Sequence, residues 1–173
     1  INMNVAFIPV RGGSKSIPLK NIRSMCGKPL VYWTIAAACG CDAIDKVYVA
    51  TDSEKIKDAV NQIHIEDKNP IFDKIEVIGR SAETASTEFA MLEFAAEYDF
   101  ENIVLIQATS PLLSAEDLNG GFELYEKDDT DSVLSVVRQK RFNWSVSEDG
   151  SAKEINYDCF HRPRRQEFDG YCV

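Results

Sequence analysis

Residues 5–21 read VAFIPVRGGSKSIPLKN. The opening run, Val5 to Val10, is short, apolar and partly β-branched, the pattern of a strand buried on both faces of a parallel sheet. It ends on Arg11-Gly12-Gly13-Ser14-Lys15. Paired glycines let backbone N–H groups come close to a ligand, and free donors in such a loop form a nest for an anion. Arg11, Lys15 and Lys20 add positive charge that could make charge-assisted bonds to phosphate oxygens. No carboxylate stands within the stretch, so the expected counter-charge is a bound anion.

The flanking sequence extends this pattern. PLVYWTIAAACG, 29–40, reads as a helix with Pro29 at its first position and Gly40 just past its end. KVYVAT, 46–51, is a second strand. In TDSEKIKDAVNQI, 51–63, a cap at Asp52 or Ser53 precedes apolar residues at helical spacing, Ile56, Ala59, Val60 and Ile63. Residues 64–74 read as a loop and 75–78 as a short strand. STEFAMLEFAAEY, 86–98, is a helix capped by Ser86 or Thr87, and NIVLIQ, 102–107, another buried strand. In 109–127, Ser114 followed by Asp117 resembles a capping box. SVLSVV, 132–137, reads as the next strand. Past residue 138 the pattern changes, and Asp149-Gly150 marks a hairpin turn. Strands and helices that alternate in this way predict an α/β fold, a parallel sheet with helices on both faces. Ligands in such sheets bind beyond the carboxyl ends of the strands. RGGSK and QATSP both follow strands directly, so both belong to that edge.

Composition narrows the function. The chain has 173 residues, 45% of them apolar, and a formal net charge of -9. That suits one domain and argues against broad nucleic-acid binding, which needs a basic surface. No apolar run is long enough for a transmembrane helix, and INMNVAFIPV lacks the charged region of a signal peptide. Five cysteines with no C-x-x-C point to free thiols in a reducing cytosol. Cys39 and Cys41 have only His64 and His161 to complete a zinc site, which disfavours one. The basic residues cluster. Arg11, Lys15, Lys20, Arg23 and Lys28 precede the first acid, Asp42, and Arg162, Arg164 and Arg165 lie near the end. A local basic site on an acidic body points to a small anionic ligand. The loop matches neither G-x-G-x-x-G nor G-x-x-x-x-G-K-[ST], so dinucleotide and Walker sites are poorly supported.

Taken with GKPL at 27–30, RGGSKSIPLKN resembles the N-terminal motif of the N-acylneuraminate (sialic acid) cytidylyltransferases. Four later stretches agree in order: RSAETAST at 80–87, IQATSP at 106–111, SVLSVVRQKRFNWS at 132–145 and RPRRQEFDG at 162–170. The resemblance implies a three-layer sandwich around a mainly parallel, Rossmann-like nucleotidyltransferase sheet. It implies transfer of CMP from CTP to the anomeric hydroxyl of a sialic-acid-like nonulosonic acid, with release of pyrophosphate. Arg11, Lys20, Arg164 and Arg165 match catalytic positions. Gly12, Gly13, Ser14, Lys15, Asn21, Arg80, Ser86 and Gln107 match substrate-binding positions: the glycine loop and Asn21 on CTP, Arg80 and Ser86 on its base and sugar, and Gln107 facing the sugar acid. Thr109, Ser110 and Pro111 read as turn-formers. The resemblance also implies Mg²⁺, a homodimer in the full-length protein and a cytoplasmic setting, with neither nucleic acid nor membrane as partner.

The expected organisation is a single cytidylyltransferase domain over 1–173 that lacks the family's Asn-Gly strand, dimerisation element and late Asp-x-Asp pair for Mg²⁺. Asp128, Asp129 and Asp131 read as a solvated loop, so no metal ligands are identifiable. Three alternatives stay open. The sugar acid could be legionaminate, pseudaminate or Kdo, although RPRRQ favours the neuraminate group over Kdo. The chain could be a CTP-binding module without turnover. A dinucleotide oxidoreductase lacks its glycine fingerprint.

Overall fold

The computed structural model describes residues 3–13, 17–81, 86–127 and 130–173. Within them the chain runs β1 (Asn4–Val10), β2 (Ser24–Met25), β3 (Lys28–Pro29), α1 (Leu30–Gly40), β4 (Lys46–Thr51), α2 (Glu54–Glu66), β5 (Ile75–Gly79), α3 (Thr87–Glu97), β6 (Asn102–Leu105) and α4 (Ala115–Lys127). It continues with β7 (Arg138–Gln139), β8 (Trp144–Val146), β9 (Ala152–Glu154) and β10 (Tyr171–Cys172). Packing divides it into two compact units, residues 1–130 and 131–173.

The first unit is built on a parallel sheet of order β5-β4-β1-β6. Strand side chains alternate between faces, and both faces are covered. Ala6, Ile8, Val10, Val47 and Val49 meet α1, α2 and α4 through Val31, Ile35, Ile56, Val60 and Phe122. Val5, Phe7, Tyr48 and Ala50 meet α3 through Ala90 and Phe94. This is the expected three-layer α/β sandwich, and it explains the apolar runs Val5–Val10 in β1 and Val47–Ala50 in β4.

Several boundaries moved for identifiable reasons. Pro29 lies one residue before α1, because it also pairs with Ser24 in the β2–β3 hairpin. The hairpin turn is Cys26-Gly27, both at positive φ (52° and 82°), as a two-residue turn between twisted strands requires. Gly40 is the last helical residue. A Cβ there would lie 3.3 Å from the Ala115 Cβ, so its smallness serves the close approach of α1 to α4. The α4 capping box forms reciprocally: Asp117 N–H donates to Ser114 Oγ at 3.1 Å, and Ser114 N–H donates to Asp117 Oδ2 at 3.0 Å. The helix therefore starts at Ala115, and the residues before it form turns.

The second unit departs most from expectation. SVLSVV, 132–137, forms no strand. Its apolar side chains stand in solvent, with Leu134 81% and Val137 65% exposed. β-propensity reflects the fit of side chains to a neighbouring strand, and among the described residues only the end of this run has one. Val137 exchanges backbone hydrogen bonds with Val173, and β7 then pairs antiparallel with β10. The Asp149-Gly150 hairpin is present, with β8 antiparallel to β9 and Gly150 at φ 82°.

No helix among the described residues is long and apolar enough to cross a membrane. The aromatic packing of the α3 layer gives a direct stability test. Phe94 is buried and touches the rings of Phe7, Tyr48, Tyr98 and Phe100 at centroid distances of 4.7–5.4 Å. Phe94→Ala should cost about 3–5 kcal/mol in urea unfolding, the range for removing a buried aromatic side chain.

Candidate functional site

β1, β4 and β5 end side by side at their carboxyl edge. Their register pairs Val10 with Thr51 and Thr51 with Gly79. The residues that follow, Arg11-Gly12-Gly13, Asp52-Ser53 and Arg80-Ser81, therefore leave the sheet together. This is where the sequence placed the anion site. Ser14 and Lys15 of the loop lie outside the described residues.

Gly12 and Gly13 play different parts. The Gly12 N–H donates to Asp52 Oδ1 at 2.7 Å, so this donor is already used by the protein. A Cβ on Gly12 would fall 2.8 Å from the Ser53 Cβ. Glycine is needed there because the loop lies against the start of α2. Gly13 is open, with nothing within 4 Å of an added Cβ. Sequence reasoning missed Asp52 as a partner of the loop and considered it only as a helix cap. The partnership becomes visible only with the strand register, in which Asp52 follows the strand that pairs with β1.

Asn21 closes the loop from behind. It sits in a 3₁₀ turn, Lys20–Ile22, with its side chain buried, and its Nδ2 donates to Arg11 O at 3.3 Å. Asn21 Oδ1 is buried without a hydrogen-bond partner among the described residues, a costly state that a donor on a ligand would relieve. Lys20 is half-buried in the same turn. The Arg80 guanidinium is pushed below its ordinary pKa by burial first and by the like charge of Arg11 second, while Asp52 and Glu93 oppose the shift. Arginine stays protonated at neutral pH even so. Two guanidinium groups and two carboxylates thus meet at this edge. Beside Arg80 lies a cavity of about 390 Å³ with Phe7, Phe94, Tyr98, Glu93 and Ser81 in its wall.

Ser86 caps α3, its Oγ accepting from Phe89 N–H at 3.2 Å. Gln107 follows β6 and is exposed at the same edge. The next residues turn as read from sequence, Ser110 N–H donating to Gln107 O at 3.1 Å.

Arg164 and Arg165 belong to the second unit. There Arg165 lines a cavity of about 460 Å³ with Arg141, Arg162, Phe142, Trp144 and Tyr157. The Arg162 guanidinium lies 4.4 Å from the Phe142 ring centroid, a cation–π contact. Arg164 has a different place: its carbonyl accepts from Glu167 and Phe168 N–H, at 2.9 and 3.1 Å. The aromatic lining was not read from sequence, because its residues are scattered over a segment without regular periodicity.

Among the described residues, one group of three side chains has metal-ligating atoms within 4.8 Å of one another: Glu154, Asp158 and Cys159. The Cys159 thiol is pushed up, by desolvation and then by its hydrogen bond with Glu154. Mg²⁺ prefers carboxylate, phosphate and water oxygens, so a group that includes a protonated thiol does not fit it.

Residues 5–156 match the family described as cytidylyltransferase. The chain belongs to that family. It is 37% identical to N-acylneuraminate cytidylyltransferase A of Danio rerio, over 95% of this chain and 38% of that protein. It is 29% identical to a CMP-N,N'-diacetyllegionaminic acid synthase of Legionella pneumophila, over 97% of this chain and 70% of that one. Among solved structures it resembles CMP:2-keto-3-deoxy-manno-octonic acid synthetase complexed with CTP, with TM-score 0.64 and 20% identity over 75% of this chain and 49% of that one. The last likeness concerns the fold. The chain spans 38% of the length of the Danio rerio relative.

The steric role of Gly12 is testable within this cytidylyltransferase edge. Gly12→Ala should destabilise the chain by about 1–3 kcal/mol in urea unfolding, the usual cost of overpacking, while Gly13→Ala stays within about 0.5 kcal/mol, as at an unconstrained surface site. Adding Ser53→Gly should recover part of the Gly12→Ala loss; a strictly additive double mutant would show the two not to be in contact.

Proposed function

We propose that this chain binds CTP at the carboxyl edge of its sheet and transfers CMP to a sialic-acid-like nonulosonic acid. The observation that carries the reading is the convergence of Arg11, Arg80 and the buried, half-satisfied Asn21 on one glycine loop. Guanidinium groups beside a glycine loop suit a polyphosphate, and the Asn21 acceptor suits a donor on the nucleotide. The cavity beside Arg80 has room for a pyrimidine ring. In this reading the anomeric hydroxyl attacks the α-phosphorus in line and pyrophosphate leaves. Lys20 and Arg11 stabilise charge on the phosphates, and the protein contributes mainly by positioning.

Gln107, exposed after β6, faces the sugar acid, and its amide serves hydroxyl or carboxylate groups. A catalytic role for Arg164 and Arg165 is proposed from their match to the family's RPRRQ alone. Ser86 contributes through the nucleotide sugar in addition to its cap. Mg²⁺ is proposed to arrive with the triphosphate. A homodimer and a cytoplasmic setting accompany this reading.

The deciding experiment is pyrophosphate release from CTP and Mg²⁺ with a panel of N-acetylneuraminate, legionaminate, pseudaminate and Kdo. Turnover is expected with a nine-carbon acid. CTP binding with no release on any acid would reduce the chain to a nucleotide-binding module. With the preferred acid, Gln107→Ala should raise the KM for the sugar about tenfold, the loss of roughly one hydrogen bond, and leave the KM for CTP nearly unchanged. Equal effects on both would remove Gln107 from the sugar side.

A further inference from the structure

The pairing of β1 with β4 brings a carboxylate to the glycine loop. The ladder pairs Val10 with Thr51, so Arg11 and Asp52 leave the sheet next to each other. At that point a side chain takes over from the backbone ladder. Gly12 N–H donates to Asp52 Oδ1 at 2.7 Å, a short bond to a charged acceptor. The contact is close because Gly12 has no Cβ and rests against Ser53. A second bond sets the corner itself, Ser53 N–H donating to Thr51 Oγ1 at 3.2 Å.

The same carboxylate acts on the far side of the edge. Arg80 experiences Arg11 as a like charge and both Asp52 and Glu93 as opposite charges. Glu93, on α3, also accepts from Ser81 N–H at 3.4 Å. The Arg80-Ser81 turn is thus held from α3, and the Arg11–Gly13 loop from the end of β4. Asp52 touches the second system by hydrogen bond and the first by charge. Without it, two guanidinium groups from neighbouring strands would repel each other with less compensation.

We propose that Asp52 is a positioning residue of the candidate site: its bond to Gly12 N–H fixes the Arg11–Gly13 turn against the start of α2 and so sets where Arg11 leaves the sheet edge. The inference rests on the nucleotide reading given above. It assigns Asp52 no contact with substrate. The Gly12 N–H therefore belongs to the frame and is not a donor left to a ligand.

The test uses the full chain with Asp52→Ala, which removes acceptor and charge, and Asp52→Asn, which keeps an acceptor and removes the charge. First, amide hydrogen exchange at Gly12 is followed by NMR without nucleotide. Protection is expected in the wild type and in Asp52→Asn, with exchange at least about tenfold faster in Asp52→Ala, the loss of one charge-assisted bond. Second, CTP is titrated into each protein. Asp52→Ala should bind about tenfold more weakly, again the scale of one such bond, with Asp52→Asn restoring most of the loss. An unprotected Gly12 amide in the wild type overturns the proposal, and that measurement stands even if Asp52→Ala does not fold. Unchanged CTP affinity in a folded Asp52→Ala also overturns it. An Asp52→Asn protein as weak as Asp52→Ala overturns the hydrogen bond as the positioning contact. If the wild type binds no CTP while Gly12 exchange still depends on Asp52, the tether stands and the nucleotide reading falls.

Discussion

The parallel pairing of β1 with β4 is the constraint on which the rest of this structure depends. One register, Val10 opposite Thr51, decides which side chains enter each core and which residues meet beyond the sheet. A slip by one residue would exchange the two faces of β1. It would turn Phe7 toward the layer now filled by Ile8, and would separate Gly12 from Asp52. Core and site are therefore set by the same alignment.

Much of this was legible in the sequence, for reasons tied to particular residues. Val5 to Val10 and Val47 to Ala50 are apolar without alternation because both faces are buried, and that is the pattern a central parallel strand must show. The Ser114–Asp117 capping box gave the true start of α4 because its hydrogen bonds are local. The five ordered motifs led to the family, and the match over residues 5–156 agrees. The glycine loop was placed at the correct edge because it follows directly on a strand.

What the sequence did not reveal depends on distant partners. Asp52 is 40 residues from Gly12, and nothing local marks it as more than a helix-start residue. SVLSVV has the composition of a strand, yet a strand also needs a neighbour, and most of the run has none among the described residues. The cavity around Arg165 is lined from 141–144, 157 and 162, a grouping that only tertiary packing creates. Pro29 was misplaced by one position because it serves a hairpin and a helix at once.

The thinness of the α3 layer has a consequence for energetics. α3 is held to the sheet by a small aromatic group around Phe94, while the opposite face carries three helices. Elements with fewer buried contacts open at lower free energy than the global transition. α3 carries Glu93, which holds the Arg80-Ser81 turn, so opening α3 would also release that turn. Any ligand that requires Arg80 in place then binds only the closed form and stabilises it by mass action. Occupancy of the sheet edge and the local stability of α3 are in this way a single linked equilibrium.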